Sequence, residues 1–296
     1  MHPLISAPEL RALIDTPTPL LVLDCRFSLM DASAGQRAFA EGHIPGAAYA
    51  HLNDQLSGPM NGHNGRHPLP SPEAFAATLK AWGLSPQTRV VAYDDQGGMF
   101  AARAWWLLRW AGHAAVQVLD GGWKAWQASQ AEGEGKGEAD SAGGHAAPAS
   151  SATAPSAHAN AVGEARSFQP VRVDEVLAHL NQPEHLQLLD ARAPDRFRGE
   201  NETLDPVGGH IPGALNRFFQ LNLQPDGRFA DAATLRAAFE AVLGGREPHT
   251  VVHQCGSGVT ACHNLLAMEV AGLRGSRLYA GSWSEWCADV SRPVAR

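Results

Sequence analysis

The sequence predicts two duplicated α/β domains, each a largely parallel sheet flanked by helices. Three observations lead there. The chain has 296 residues, and a domain usually takes about 100–200. Four motifs occur twice in the same order, each shifted by nearly the same length. Within each copy, short apolar runs alternate with segments of helical periodicity, the pattern of strand–helix units.

The first repeated motif is an apolar run ending in Asp-x-Arg: Leu20-Leu21-Val22-Leu23-Asp24-Cys25-Arg26, then Leu186-Gln187-Leu188-Leu189-Asp190-Ala191-Arg192. Next comes Gly42-His43-Ile44-Pro45-Gly46-Ala47, answered by Gly209-His210-Ile211-Pro212-Gly213-Ala214. Third is a strand-like run, Arg89-Val90-Val91-Ala92-Tyr93-Asp94 against Thr250-Val251-Val252-His253-Gln254-Cys255. The last pair is Gly121-Gly122-Trp123 and Gly281-Ser282-Trp283. Val90–Tyr93 and Thr250–His253 have the length of buried strands. Ser71-Pro72-Glu73 reads as an N-cap with proline at the first helical position, opening a helix over Glu73–Trp82 with Phe75, Leu79 and Trp82 on one face. A second helix is expected over Val259–Ala271, with Leu265, Leu266, Met268 and Val270 available for burial. Between the copies, residues 130–164 are rich in Ala, Gly, Ser and Pro and poor in large apolar residues, a composition that predicts a flexible linker. The expected layout is a first domain at 1–129 without a catalytic cysteine, the linker at 130–164, and a catalytic domain at 165–296.

The 44% hydrophobic content suffices for ordinary cores. With 23 basic against 30 acidic side chains the formal charge is −7, which argues against a nucleic-acid partner. No apolar run is long enough to span a bilayer, and Met1-His2-Pro3-Leu4 lacks the basic, then apolar start of a signal peptide. A cytoplasmic protein without a membrane partner is expected. The four cysteines, Cys25, Cys255, Cys262 and Cys287, include no Cys-x-x-Cys pair and no zinc-type spacing. Free thiols are therefore expected, with neither a metal nor a cofactor.

Chemistry concentrates in Cys255-Gly256-Ser257-Gly258-Val259-Thr260. A cysteine follows a strand, and a glycine-rich turn then feeds a helix. Gly256 and Gly258 permit positive φ, so that successive N–H groups can point inward. Those groups and the helix N-terminus favour an anion at the loop centre, as a nucleophilic thiolate or a persulfide requires. Cys25, Cys262 and Cys287 are better explained as packing residues.

On these motifs, and on Gly281-Ser282-Trp283-Ser284-Glu285-Trp286, the chain resembles the rhodanese superfamily of tandem-domain sulfurtransferases, closest to the 3-mercaptopyruvate branch. The resemblance implies two rhodanese-like domains, the first without its cysteine. Asp94 stands at the position matching Cys255, where a structural role is expected. Thiosulfate enzymes of the family carry basic residues after the cysteine, whereas Gly256 and Ser257 stand here. The resemblance further implies that Ser257 hydrogen-bonds the substrate, that Arg196 binds its carboxylate, and that His67 contributes from the first domain. Two positions depart from the branch. The stretch Glu202-Thr203-Leu204-Asp205-Pro206-Val207 lacks a second arginine, for which Arg217 or His210 are the nearest partial substitutes. Asn53, beside Asp54, replaces an aspartate.

The expected function is transfer of a sulfane sulfur from a small-molecule donor, 3-mercaptopyruvate before thiosulfate, through a Cys255 persulfide to a thiol, a thioredoxin-like dithiol or cyanide. A cysteine phosphatase would need an arginine six residues after the nucleophile, where Ala261 stands. A non-catalytic sulfur carrier would show no steady-state turnover with a small donor. Removing much of the 130–164 segment, with enough residues kept to join the domains, should leave turnover within about twofold, because closure entropy changes slowly with length. Steady-state assay of a folded deletion variant checks this.

Overall fold

The computed structural model describes residues 1–134, 168–180 and 182–296. The first domain runs β1 (Leu4–Ile5), α1 (Ala7–Ile14), β2 (Leu20–Asp24), α2 (Ala34–Glu41), β3 (Ala48–Tyr49), α3 (Pro72–Ala81), β4 (Arg89–Tyr93), α4 (Ala101–Trp110), β5 (Val116–Leu119) and α5 (Gly122–Glu134). The second runs α6 (Val173–Ala178), β6 (Gln187–Asp190), α7 (Pro194–Phe197), β7 (Leu215–Asn216), α8 (Ala232–Leu243), β8 (Val251–Gln254), α9 (Thr260–Val270), β9 (Arg277–Leu278) and α10 (Ser282–Trp286). The five-stranded sheet has the order β1-β5-β4-β2-β3 and the four-stranded sheet β7-β6-β8-β9. Every pairing between these strands is parallel.

The strands are buried on both faces, as continuous Val/Leu runs under helical cover require. Register pairs Asp24 with Tyr93 and Asp190 with Gln254, so β4 and β8 end level with the Asp-x-Arg segments. Both are interior strands, and their carboxyl ends put Asp94 and Cys255 at the edge where parallel α/β sheets form their sites.

Helix α3 starts where its cap dictates: Ser71 Oγ accepts the Ala74 N–H at 3.1 Å, and Pro72 fills the first turn. It ends at Ala81, with Trp82 as its cap. Phe75 is buried, and Leu79 and Trp82 pack partly covered against the core. Helix α9 lies one residue inside the expected limits at each end, and Leu265, Leu266, Met268 and Val270 are all buried. Helix α5 continues to Glu134, five residues into the stretch expected as linker from Gln130; the rest of that stretch, 135–164, lies outside the described residues.

One apolar cluster spans both domains, with Trp105, Trp106 and Leu108 of α4 joined to Leu265 and Leu266 of α9. Hydrogen bonds cross the same boundary, from the Phe229 N–H to Asp120 at 2.8 Å and between His263 Nε2 and the Gly97 carbonyl at 3.0 Å. No helix among the described residues is long and apolar enough to cross a membrane.

His253 and His263 are completely buried, and burial depresses their pKa values to about 3 and about 4. The unfolded chain takes up these protons near pH 6.5, whereas the folded chain does not until far lower, so stability falls as pH drops below 6.5. Each histidine should cost about 2 kcal/mol by pH 5. A melting temperature that declines from pH 7 to pH 5, and declines less in His263→Gln, is the expected result.

Candidate active site

Cys255 follows β8 and opens the turn into α9. Its side chain is 2% exposed, and Sγ accepts the Gly258 N–H at 3.1 Å, the amide-to-sulfur contact that an anionic sulfur favours. Gly258 has φ +80, and a Cβ there would come within 2.2 Å of the Ala280 carbonyl oxygen, so only glycine closes this turn. Gly256 is different from expectation. It does not adopt positive φ; its missing side chain makes room for two guanidinium groups, described below.

The repeated Gly-x-Trp motif anchors the loop. The Cys255 N–H donates to Ser282 Oγ at 3.1 Å, and that hydroxyl donates to the Tyr279 carbonyl at 3.0 Å. The N–H groups of Trp283 and Ser284 hold the carbonyls of Cys255 and Gly256 at 3.0 and 2.9 Å. In the first domain the Trp123 N–H holds the Asp94 carbonyl in the same way, at 2.8 Å.

Cys255, Gly256, Ser257, Val259 and Thr260 line a cavity of about 150 Å³ with Arg66, Arg196, Phe218 and Phe219. Other cavities reach 300–350 Å³, but no cysteine borders them. Behind the wall, His67 of the first domain meets Ser257 Oγ through Nδ1 at 2.7 Å. Burial first, then the charges of Arg103 and Arg66, lowers the His67 pKa to about 3. The imidazole is therefore neutral near pH 7, with one nitrogen donating and one accepting. Among the described residues no carboxylate orients it: Asn53 is exposed, and Asp54 pairs with His51 at 3.1 Å.

Arg103 instead fixes His67 through the backbone. This fully buried side chain donates to the carbonyls of Leu56 (3.3 Å), His67 (3.0 Å) and Gly258 (3.2 Å), tying the histidine segment to the cysteine loop. Sequence reasoning missed it. The available signal was one arginine inside the otherwise apolar Ala101–Leu108 run.

Arg196 lines the cavity, with Nη2 on both oxygens of Glu202 at 2.8 and 2.9 Å. Arg217 and His210 do not supply a second cation. Arg217 bonds Asn222 at 3.0 Å and covers the Phe239 ring. His210 bonds the Phe197 carbonyl at 2.9 Å and stacks on that ring, as His43 does on Phe39. The second guanidinium at the cavity belongs to Arg66, from the first domain. A Cβ on Gly256 would stand 2.9 Å from Arg66 Nη2 and 3.7 Å from both terminal nitrogens of Arg196. The loop is thus not without a basic neighbour, contrary to what Gly256-Ser257 alone suggests. Arg66 Nη1 pairs with Asp205, which also lies 3.7 Å from Arg196. Burial tends to raise the pKa of Glu202, but Arg196 and the loop N–H groups outweigh it and hold the group below its usual range.

All four cysteines are free. Burial drives Cys25 far up, Cys262 to about 12 and Cys287 to about 11, so these three rest as thiols. Cys262 donates to the Gly258 carbonyl at 3.3 Å. In the first domain, the Asp94 carboxylate accepts four N–H groups, from Gln96, Gly98, Phe100 and Ala101, at 2.7–2.9 Å. The corresponding loop there is an anion nest occupied by its own side chain.

A cysteine whose sulfur accepts a loop N–H at the carboxyl edge of a parallel sheet, beside a duplicate whose loop amides are taken by Asp94, defines a persulfide-type site in one of two duplicated domains. The chain belongs to the family of the rhodanese-like domain, whose model matches residues 6–129 and again 172–289. It is 48% identical over 304 residues to a Pseudomonas aeruginosa protein named as a probable 3-mercaptopyruvate sulfurtransferase, covering 99% of this chain and 97% of that one. A Mycobacterium tuberculosis protein provisionally named thiosulfate sulfurtransferase SseB is 38% identical, covering 99% and 96%. Among solved structures, the 3-mercaptopyruvate enzyme SseA of Escherichia coli superposes with a TM-score of 0.70 at 29% identity, covering 96% of this chain and 99% of that one. The protein is a tandem rhodanese-domain sulfurtransferase.

Cys255→Ser should abolish sulfur transfer, by at least about a thousandfold, since a hydroxyl is a far weaker nucleophile at neutral pH. Cys25→Ser, Cys262→Ser and Cys287→Ser should each retain turnover, with losses visible only as lower melting temperature. Parallel activity and melting measurements on the four variants check the assignment.

Proposed function

We propose that this sulfurtransferase takes its sulfur from 3-mercaptopyruvate. The observation that carries the reading is the Ser257–His67 pair, 2.7 Å apart at the wall of the cysteine cavity. Cys255 as thiolate attacks the donor sulfur, and the donor's carbon–sulfur bond breaks with its electron pair on carbon. The resulting enolate takes the donor's thiol proton at carbon and leaves as pyruvate, while Cys255 holds the persulfide anion. With neutral His67 carrying its proton on Nδ1, that N–H donates to Ser257 Oγ. The serine O–H is then free for the donor's carbonyl oxygen, where charge develops. Arg196 binds the donor's carboxylate. The amides of Gly256, Ser257, Gly258, Val259 and Thr260 form the nest around the persulfide. A small thiol, a thioredoxin-like dithiol or cyanide then removes the outer sulfur, in a double displacement.

Thiosulfate would load the same persulfide, releasing sulfite, and the name of the Mycobacterium tuberculosis relative keeps it as the second reading. Cleaving its sulfur–sulfur bond forms no enolate, which leaves the Ser257–His67 pair without a task. The pocket charge points the same way. Arg66 and Arg196 face Asp205 and Glu202, a balanced set that suits a monoanion better than a dianion.

The wild-type kcat/KM should be higher for 3-mercaptopyruvate than for thiosulfate; the reverse order overturns the donor assignment. Arg196→Ala should raise the 3-mercaptopyruvate KM about 10- to 100-fold, the equivalent of a charged hydrogen bond, and the thiosulfate KM less. Ser257→Lys should shift preference toward thiosulfate by adding a cation. Steady-state kinetics with both donors on the three proteins decide these points.

A further inference from the structure

We infer that Arg66, contributed by the domain that lacks a nucleophile, binds the anionic group of the sulfur donor together with Arg196, and that Asp205 is the counter-ion the donor competes with. That the anionic group is a carboxylate rests on the donor reading above; the role of Arg66 does not.

Four observations support the inference. The guanidinium lines the Cys255 cavity, over Gly256, which has no side chain to exclude it. Its position is built, because the Arg66 N–H donates to Ser284 Oγ at 3.0 Å, and the Ser284 N–H in turn holds the Gly256 carbonyl at 2.9 Å. The backbone of Arg66 is thus referenced to the cysteine loop through one serine. The side chain is only partly used: Nη1 is taken by Asp205, while Nη2 faces Gly256. Finally, Asp205 is nearly buried, its side chain 3% exposed, with Oδ2 lacking a hydrogen-bond partner among the described residues. A half-satisfied carboxylate against a half-satisfied guanidinium is a weak internal ligand. An incoming anion that bonds Nη2 and Arg196 therefore competes with Asp205 for the Arg66 charge against a partner that holds it through one oxygen only.

Opposite changes should therefore move anion affinity in opposite directions. Arg66→Met keeps the side chain's length and removes its charge. Arg66→Lys keeps the charge without the paired donors. Asp205→Asn removes the competitor. The first readout is the ratio of Cys255 alkylation rates with iodoacetate, an anion, and iodoacetamide, its neutral counterpart. It needs no knowledge of the donor, and the other three thiols are buried and protonated. Arg66→Met should lower the ratio threefold or more, Arg66→Lys should restore most of it, and Asp205→Asn should raise it above wild type. The second readout is KM for both donors. For the better donor, Arg66→Met should raise KM threefold or more with a smaller change in kcat, and Asp205→Asn should lower it. A general disruption of the site would slow both alkylating agents alike and could not lower KM. An alkylation ratio or a better-donor KM that moves less than threefold in Arg66→Met overturns the inference. An Asp205→Asn variant with unchanged or weaker anion preference overturns the competitor role. The donor reading fails separately, if wild-type protein prefers thiosulfate.

Discussion

In each domain a guanidinium with almost no exposure joins three segments that lie far apart in the chain. Arg192 grips Asp190 at 2.7 Å, takes the Gly209 carbonyl at 2.8 Å, and lies 4.9 Å over the Trp283 ring. Arg26 does the same with Asp24, Gly42 and Trp123. These are the Asp-x-Arg, Gly-His-Ile-Pro-Gly and Gly-x-Trp motifs, and the buried arginine is the reason they recur as a set. A charge so placed is tolerable only while its carboxylate and carbonyl partners stay in position. The strand end, the following loop and α10 are consequently held in one geometry. Since α10 carries the N–H groups that grip the Cys255 and Gly256 carbonyls, the orientation of the nucleophile's loop depends on this ion pair.

The two domains have divided the work. The second keeps the open nest and its sulfur. The first has filled its nest with Asp94, contributes Arg66 to the other domain's cavity wall, and backs that wall with His67 bonded to Ser257. Arg103 makes that loan possible, because its side chain spans the boundary and bonds backbone oxygens on both sides. A single domain of this kind would present the cysteine loop without its histidine and with one fewer cation.

Much of the fold could be read from the chain because it is local. Caps such as Ser71, buried strand runs and a repeated set of motifs each leave a mark within a few residues, and the Cys255 loop is a contiguous segment. The parts that could not be read depend on contacts between distant positions. Nothing in Gly65-Arg66-His67 says that the arginine will rest over Gly256, since that placement follows from how α4 packs on α9 and how Ser284 captures a backbone N–H. Arg217 and His210, the nearest partial substitutes in the second domain, are engaged elsewhere by the fold. Gly256 misled for a related reason. A glycine can be required by its backbone angle or by a neighbour, and only the neighbour's coordinates tell the two apart.

The Asp94 carboxylate also sets a limit on loading. Its oxygens use the N–H groups that would otherwise stabilise a second sulfur anion, so the duplicated architecture has one vacancy rather than two. Sulfur delivered through these loops is therefore counted singly. With the first loop's amides taken by Asp94, the two loops together offer a single open place for a bound sulfur anion.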